Sequence, residues 1–266
     1  MPGIITSTSN PRIKNLLLLQ SKSRERRKQN LMLIEGFREI SRALASGIEL
    51  KELYYCKEAD QQSFFGELSG NLGKAELIDI GMSVFEKIAY REGSDGMIAL
   101  AVPLHRELNS LRLKNNPLVI VLESVEKPGN LGAVMRTADA AGVDAVIISD
   151  PLTDIYNPNT IRSSVGCIFT TPVVAADSEE VMKWLTGLGI NSYAAALTNS
   201  AQDVYHFDFQ GPTAFIMGTE ATGLSKVWLD FCTAQVIIPM NGIADSLNVS
   251  VSTAILVYEA YRQRMK

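Results

Sequence analysis

The chain contains three short blocks of one kind, which read Pro128-Gly-Asn-Leu-Gly-Ala-Val-Met-Arg-Thr-Ala-Asp139, Phe215-Ile-Met-Gly-Thr-Glu-Ala-Thr-Gly-Leu224 and Ile237-Ile-Pro-Met-Asn-Gly-Ile-Ala-Asp-Ser-Leu-Asn-Val-Ser250. Each block combines the end of an apolar run, a glycine-bearing turn and the start of a helical pattern. An α/β sheet places ligand-binding backbone and polar side chains at such strand ends. The three blocks therefore predict one composite site.

Apolar runs and helical patterns alternate through the second half of the chain. The spacing predicts strands at 117–125, 145–149, 170–176, 191–197, 212–217 and 235–239. It predicts helices at 131–141, 158–165, 179–188, 223–231 and 246–264. Nearly continuous apolar runs are typical of strands that helices cover on both faces, so we expect an α/β domain with a largely parallel sheet over 117–266.

The first hundred residues predict a second, smaller α/β unit. Helical spacing occupies 10–28 and 35–45, a further helix is expected near 60–70, and apolar stretches lie at 75–80 and 84–89. Short strands are expected at 31–34, 53–56 and 96–102. The polar segment between Pro103 and Pro117 reads as a linker, which predicts domains at 1–104 and 117–266.

The composition excludes several classes of protein. With 46% hydrophobic residues and 20% charged residues, the chain is typical of a globular protein. No apolar run reaches the ~18 residues of a membrane helix, and the first residues do not resemble a signal peptide, so a cytoplasmic location is expected. The widely spaced Cys56, Cys167 and Cys232, with only His105 and His206, predict no metal site.

The net charge of −4 conceals an asymmetry along the chain. Between Arg12 and Arg42 there are nine basic and three acidic residues, a local charge of +6 that leaves −10 on the remainder. Phosphate neutralisation is local, so an acidic protein with such a segment suits contact with a polyanion. The alternative is an ordinary solvated helix face.

The first block predicts a helix that Asn130 caps. Arg136 follows Val134 by two residues, about 200° around the helix, so it points away from the apolar stripe. Its side chain therefore faces solvent, a partner or a ligand. The alternative is a surface ion pair with Asp139.

The second block places Glu220 just after a predicted strand. An acidic residue there is also explained by the dipole of the following helix. Gly218 and Gly223 have the spacing of a phosphate-binding P-loop, but Leu224-Ser225 stands where Lys followed by Ser or Thr is required. A nucleotide triphosphatase is therefore not expected.

The third block contains more polar residues than helix capping needs. We expect Asp245 or Ser246 to cap the last helix, with Asn248 in its first turn. Capping explains one of these residues. It does not explain them together with Asn241, so a polar site is the better interpretation.

In order and spacing, the three blocks resemble the three motifs of the SpoU (TrmH-type) family of RNA ribose 2′-O-methyltransferases, within the SPOUT class. Asn130-x-Gly-Ala-x-x-Arg136 resembles the first motif, Gly218-x-Glu220-x-x-Gly-Leu224 the second, and Ile238-Pro-Met-x-Gly-x-x-Asp-Ser-Leu-Asn-Val-Ser250 the third. Ile34-Glu-Gly-Phe-Arg-Glu39 and Gly96-Met-Ile-Ala-Leu100 resemble parts of the N-terminal substrate-binding domain of the family. Thr219, Ala221 and Asp245 depart from the usual Asn, Gly and Glu.

The resemblance implies a C-terminal domain threaded as a trefoil knot and a small N-terminal RNA-binding domain. It implies S-adenosylmethionine as cofactor and no metal. The cofactor pocket would be lined by Leu197, Gly218, Ile238 and Leu247. Because SpoU-like domains are dimers and the last helix is apolar on more than one stripe, a homodimer is expected.

The resemblance also implies the residues of the reaction and of RNA binding. The catalytic set would be Arg136, Glu220, Ser246 and Asn248, with Asn130 ordering the first motif. Arg136 would act either as a phosphate-assisted base or as a cation that stabilises the developing alkoxide. By resemblance, Arg162 would meet RNA phosphate. The basic N-terminal segment adds the further expected phosphate contacts Arg12, Lys14, Arg24, Arg26, Arg27, Lys28 and Arg38.

The expected substrate is ribosomal RNA, because an additional RNA-binding domain precedes the catalytic one. Transfer RNA is the alternative substrate. A catalytically silent RNA-binding protein on the same scaffold is the alternative function. Retention of Arg136, Glu220 and Asn248 favours the enzyme.

Overall fold

The computed structural model describes residues 3–90 and 95–265. Met1 and Pro2, which belong to the segment that does not resemble a signal peptide, lie outside the described residues. The helices are α1 Pro11–Ser21, α2 Ser23–Gln29, α3 Phe37–Ala45, α4 Phe65–Leu68, α5 Met82–Ile88, α6 Pro128–Ala141, α7 Pro158–Ser163, α8 Cys167–Thr170, α9 Ser178–Gly187, α10 Lys226–Phe231 and α11 Val249–Arg264. The strands are β1 Met32–Glu35, β2 Leu50–Tyr55, β3 Glu76–Asp79, β4 Met97–Ala101, β5 Leu118–Glu123, β6 Ala145–Ser149, β7 Val173–Ala176, β8 Asn191–Ala195, β9 Gln202–Asp203, β10 Thr213–Met217 and β11 Ala234–Ile237.

The chain forms two compact units. The first unit comprises Met1–Leu104 and Asp154–Thr170, and the second comprises His105–Thr153 and Thr171–Lys266. The segment 154–170 was expected to belong to the C-terminal domain, but in the structure it packs with the first unit. Local periodicity describes its helices but carries no information about which unit they pack against.

The second unit is built on a seven-stranded sheet in the order β7-β6-β5-β10-β8-β11-β9. Every strand pair in this sheet is parallel. All residues of β5, β6 and β10 are buried, as the continuous apolar runs predict. The expectation of an α/β fold with a mostly parallel sheet is therefore confirmed. The short β9 lies outside the predicted strands and was missed.

The first unit contains a four-stranded sheet in the order β1-β4-β2-β3. Only β2 and β3 pair in parallel. Its core includes Ile13, Leu16 and Leu19 of α1. The expectation of one helix over 10–28 is wrong, because Lys22 is extended, with φ −120° and ψ 105°, and separates α1 from α2.

Two arginines hold the segment 154–170 within the first unit. Arg26 on α2 is 4% exposed and places Nε 2.6 Å from the Asp154 carboxylate. Arg42 on α3 donates from Nη1 to the carbonyl of Val165 and lies 3.3 Å from Cys167 Sγ. These contacts satisfy the buried guanidinium group of Arg26 and that of the half-buried Arg42, which explains why the segment belongs to this unit.

Within 3–90 and 95–265, no helix is both long and apolar enough to cross a membrane.

Candidate active site

The three blocks meet in the second unit through one hydrogen-bonded group, the Glu220 cluster, formed by Lys127, Asn130, Glu220 and Asn248. Glu220 follows the end of β10 and supplies the central carboxylate. Its Oε1 accepts hydrogen bonds from Asn130 Nδ2 at 2.9 Å and Asn248 Nδ2 at 2.7 Å. Its Oε2 pairs with Lys127 Nζ. One carboxylate therefore joins residues from all three blocks.

Asn130 does not cap α6 as expected. The helix begins at Pro128, one turn earlier, because proline is favoured at the first helical position. Asn130 therefore lies in the first turn, where its amide is available for Glu220. Its Oδ1 also accepts from Asn248 Nδ2 at 3.2 Å.

Asn248 is the residue that caps α11, in place of the expected Asp245 or Ser246. Its Oδ1 accepts from the Ser250 backbone N–H at 2.9 Å and from Ser250 Oγ at 2.6 Å. Its Nδ2 is directed to the Glu220 cluster. The two ends of one amide thus connect the start of a helix to the site, because an amide carries both an acceptor and a donor.

The electrostatics of the cluster favour an ionised Glu220. The hydrogen bond from Lys127, followed by that from Asn130, holds the pKa of the Glu220 carboxyl below its usual value. Donors that stabilise the charged form lower the pKa of a carboxyl group. Glu220 is therefore an acceptor at neutral pH and fixes the orientation of both amides.

A cavity of about 400 Å³ adjoins the Glu220 cluster, and Glu220 itself lines it. Its wall includes residues that follow β8, β10 and β11, three neighbouring parallel strands. All four residues expected to line a cofactor pocket are in this wall, namely Leu197, Gly218, Ile238 and Leu247. A volume of this size suits a small-molecule ligand.

The turn after β10 requires glycine at 218. Thr219 and Gly223 exchange two backbone hydrogen bonds of 3.1 Å, which fold the loop tightly back on itself. A Cβ added to Gly218 would overlap the backbone of Gly223 and Leu224. Gly223 has φ +68°, in the left-handed region. The turn therefore leaves no room for a side chain beside the cavity.

Ser246 and Arg136 are the two remaining residues of the expected catalytic set. Among the hydrogen bonds of the described residues, neither joins the Glu220 cluster. Ser246 is exposed and lines the cavity. Arg136 is exposed on α6, as the expected helix phase requires. Residues 241–248 are all exposed, so this loop borders the site with its polar groups accessible.

The cations expected to meet RNA all lie in the first unit, but they are not equally accessible. The exposed ones are Lys14, Arg24, Arg27, Lys28, Arg38 and Arg162. Arg12 is partly exposed and lies between Glu52 and Glu76, at 3.7 and 3.0 Å. Arg26 is buried against Asp154, so the expectation that it contacts RNA is wrong.

Lys127 is the member of the cluster that the sequence analysis missed. It directly precedes Pro128 and is the residue that flanks the start of α6. Lysine is common on protein surfaces, and nothing in its local pattern distinguishes it from a solvated side chain. Only the tertiary structure brings its ammonium group to Glu220, which follows β10.

The cysteines of the chain are separated and differ in burial. Cys56 and Cys167 are buried and Cys232 is partly buried. Burial raises the pKa of the Cys232 thiol to about 12, so it stays protonated. In the described ranges, no group of three or more potential metal ligands comes together.

Comparison with known proteins supports both units. Residues 117–258 match the model of the SpoU rRNA Methylase family, and residues 10–99 match the MRM3-like substrate binding domain. The chain is 32% identical to the 23S rRNA (guanosine(2553)-2'-O)-methyltransferase RlmP of Bacillus subtilis, over 96% of this chain and 97% of the relative.

Solved structures give the same result. A structure described as an RNA 2'-O ribose methyltransferase has a TM-score of 0.86 and 39% identity, covering 99% of this chain and 100% of its own. An AdoMet-bound rRNA methyltransferase from Sinorhizobium meliloti has a TM-score of 0.87 and 27% identity, covering 98% and 97%. Because the family model spans more than half of the chain and contains the whole Glu220 cluster, the protein belongs to the SpoU rRNA methylase family.

Proposed function

We propose that the protein transfers the methyl group of S-adenosylmethionine to a ribose 2′-hydroxyl of ribosomal RNA. The observation that carries this proposal is the position of the Glu220 cluster, built from all three blocks, at the wall of a cavity of cofactor size. Full-length similarity to enzymes named for 2′-O-methylation of rRNA supports the reaction class. The AdoMet-bound relative supports the cofactor.

The chemistry of the cavity suits this cofactor. S-adenosylmethionine carries a sulfonium and an ammonium group against one carboxylate, so it is a net cation. The lining includes the carboxylates of Glu220 and Asp245 and, among the described residues, no lysine or arginine. Leu197, Ile238 and Leu247 supply apolar contact area, and the tight turn at Gly218 admits close approach of the ligand to the backbone.

When bound, S-adenosylmethionine supplies an electrophilic methyl carbon on sulfur. The ribose 2′-oxygen attacks that carbon in line, the carbon–sulfur bond breaks, and the hydroxyl proton passes to an acceptor or to solvent. The protein must hold the two reactants aligned and stabilise charge on the 2′-oxygen. We assign alignment to Asn130, Glu220 and Asn248, with Ser246 at the cavity mouth.

We assign Arg136 to the stabilisation of charge on the 2′-oxygen. A guanidinium group stays protonated far above neutral pH, so its ordinary role is that of a cation and hydrogen-bond donor. The exposure of Arg136 on α6 leaves it accessible to an incoming ribose or phosphate.

The first unit is proposed to bind the RNA, and the exposed cations of α2 are proposed to contact the phosphates of that RNA. Its match to a substrate-binding domain supports this assignment. Ribosomal RNA is favoured over transfer RNA because the full-length relative from Bacillus subtilis is named for 23S rRNA. A cytoplasmic location is proposed together with that substrate, and the trefoil knot stays a prediction.

A homodimer is proposed from the surface of α11. Val251, Tyr258 and Tyr261 are 47%, 46% and 39% exposed, on a helix whose opposite side is buried. A second copy of the chain would cover this apolar surface. Sedimentation at micromolar concentration is expected to show a dimer, and a monomer alone would reject it.

The test of the function compares wild type with Arg136→Ala. Purified protein is titrated with S-adenosylmethionine by calorimetry and then assayed for methyl transfer to ribosomal and transfer RNA from cells that lack the gene. Wild type is expected to bind the cofactor and to methylate ribosomal RNA at a ribose. Arg136→Ala is expected to bind the cofactor equally and to lose at least about 100-fold in transfer, the usual cost of removing one group that stabilises a developing oxyanion.

Three outcomes contradict parts of this assignment. Cofactor binding without transfer to any RNA by wild type indicates a silent RNA-binding protein. Transfer to transfer RNA alone corrects the substrate. Transfer by Arg136→Ala within about tenfold of wild type removes Arg136 from the catalytic set.

A further inference from the structure

Tyr90 and Arg162 form an exposed aromatic–cation pair in the first unit. The guanidinium carbon of Arg162 lies 5.1 Å from the centre of the Tyr90 ring. Tyr90 is 46% exposed, and Arg162 is also exposed. The two residues come from distant parts of the sequence, so the pair exists only because the segment 154–170 packs in this unit.

The position of Arg162 is held on both sides. Upstream, Asp154 pairs with the buried Arg26. Downstream, Val165 has φ +58°, which is rare for a β-branched residue, and its carbonyl accepts from Arg42. Between them, α7 packs against β1. Arg162 therefore projects from a well-anchored helix, so its guanidinium is pre-positioned.

Hydrogen bonds through Gln20 connect the basic helix α2 to the end of α5, close in sequence to Tyr90. Arg26 donates to the carbonyl of Gln20 at 3.2 Å, and Gln20 Nε2 donates to the carbonyl of Ile88 at 3.0 Å. Ile88 ends α5, two residues before Tyr90. The other basic residues of α2, which are exposed, are Arg24, Arg27 and Lys28. The accessible Tyr90 ring therefore follows a helix end that is tied to α2, a helix with exposed basic residues.

We infer that Tyr90 and Arg162 form a stacking site for an unpaired RNA base, beside phosphate-binding cations on α2. The inference rests on the proposed function, since it names how the same RNA is held. Proteins hold single-stranded RNA by stacking bases on aromatic rings and on planar guanidinium groups within a positively charged surface. Arg162 contributes a plane as well as a charge, and α2 supplies contacts to the backbone on either side of the base.

The experiment measures binding of the full-length protein to a single-stranded RNA oligonucleotide and to an RNA duplex of equal length. Tyr90→Ala is expected to weaken single-strand binding about tenfold or more, since loss of one stacked base typically has an effect of that size. Tyr90→Phe keeps the ring and is expected to stay within about twofold of wild type. Duplex binding is expected to be unchanged in both variants, because paired bases cannot stack on the ring.

Two matched variants separate stacking from charge and from general surface effects. Arg162→Lys keeps the charge and loses the plane, so single-strand affinity is expected to fall while the slope of log affinity against log salt stays constant. Tyr205 is 56% exposed in the second unit, and Tyr205→Ala is expected to bind both RNAs as wild type does. Thermal unfolding of each variant identifies any loss of RNA affinity that comes from misfolding. Tyr90→Phe keeps the ring and is expected to stay folded, so it remains available for the binding measurement.

Wild-type affinity of Tyr90→Ala for the single strand overturns the stacking site. If wild type then still transfers methyl groups to RNA and Arg136→Ala does not, the proposed function stands without the stacking site. Equal losses of Tyr90→Ala for single strand and duplex also overturn it, because they indicate a packing role. A wild-type protein that binds neither RNA rejects the proposed function and the stacking site together.

Discussion

The basic helix α2 and the Glu220 cluster are both dense in polar side chains, yet the two regions are organised in opposite ways. On α2, residues adjacent in sequence have different environments, because Arg26 is buried against Asp154 while Arg27 is exposed. In the Glu220 cluster, residues far apart in sequence converge on one carboxylate. The difference teaches that a count of charges describes a segment, whereas the function of each charge depends on which side of the element it occupies.

The sharpest test of this comparison is Arg26→Met beside Arg27→Met. Removing Arg26 leaves the Asp154 carboxylate, only 15% exposed, without its cation, which is expected to lower the free energy of unfolding by about 3–5 kcal/mol. Arg27→Met is expected to change it by less than about 0.5 kcal/mol. Urea unfolding of both variants measures the contrast. Equal stabilities would mean that α2 has no buried side, and the comparison would fail.

Gly218→Ala tests whether the turn after β10 shapes the cofactor cavity. The added Cβ overlaps the backbone of Gly223 and Leu224, so the turn must open. The affinity for S-adenosylmethionine is expected to fall about 100-fold, or ~2.7 kcal/mol. Gly211→Ala is the control, because a Cβ there has no neighbour within 4 Å. If calorimetric titration shows equal affinities of both variants for S-adenosylmethionine, the cofactor does not bind in the cavity that this turn shapes.

Asn248→Asp separates the two functions of the Asn248 amide. Aspartate caps a helix as well as asparagine, so thermal stability is expected to stay close to that of wild type. The donor to Glu220 is lost and two carboxylates face each other, so methyl transfer is expected to fall about 10- to 100-fold. Asn248→Ala should lose transfer and about 1 kcal/mol of stability. An Asp variant with full activity would show that capping is the whole role of Asn248.

Lys127→Met is expected to have the smallest effect, a change in pH dependence. Lys127 holds the pKa of Glu220 below its usual value, so Glu220 stays ionised as the pH falls. Without Lys127 that pKa rises, and methyl transfer is expected to decline at a higher pH on the acid side, with a loss of less than about tenfold at neutral pH. The control is Lys226→Met, which removes an exposed i,i+4 pair with Asp230. Superimposable pH profiles would show that Lys127 does not act through Glu220.

Buried strands and the residues that meet at strand ends could be predicted from the sequence, whereas helix starts were harder to predict. The strands of the second unit are buried on both sides, so their apolar runs predicted β5, β6 and β10 closely. The motif order predicted that Asn130, Glu220 and Asn248 would meet, because parallel strand ends share one edge of a sheet. The starts of α6 and α11 were harder to predict, because Asn130 competed with Pro128 as the start signal of α6, and Asp245 and Ser246 competed with Asn248 as the cap of α11.

By itself, the sequence determined the α/β class, the parallel sheet, the family and the polar residues that surround the cavity. These follow from local periodicity and from short motifs, in which the information lies within a few residues. The tertiary structure alone decided that Arg26 is buried, that segment 154–170 packs in the first unit and that Lys127 reaches Glu220. The physical reason is that a long charged side chain has no periodic signature for its partner. Its burial depends on a carboxylate or carbonyl that distant chain segments bring into place.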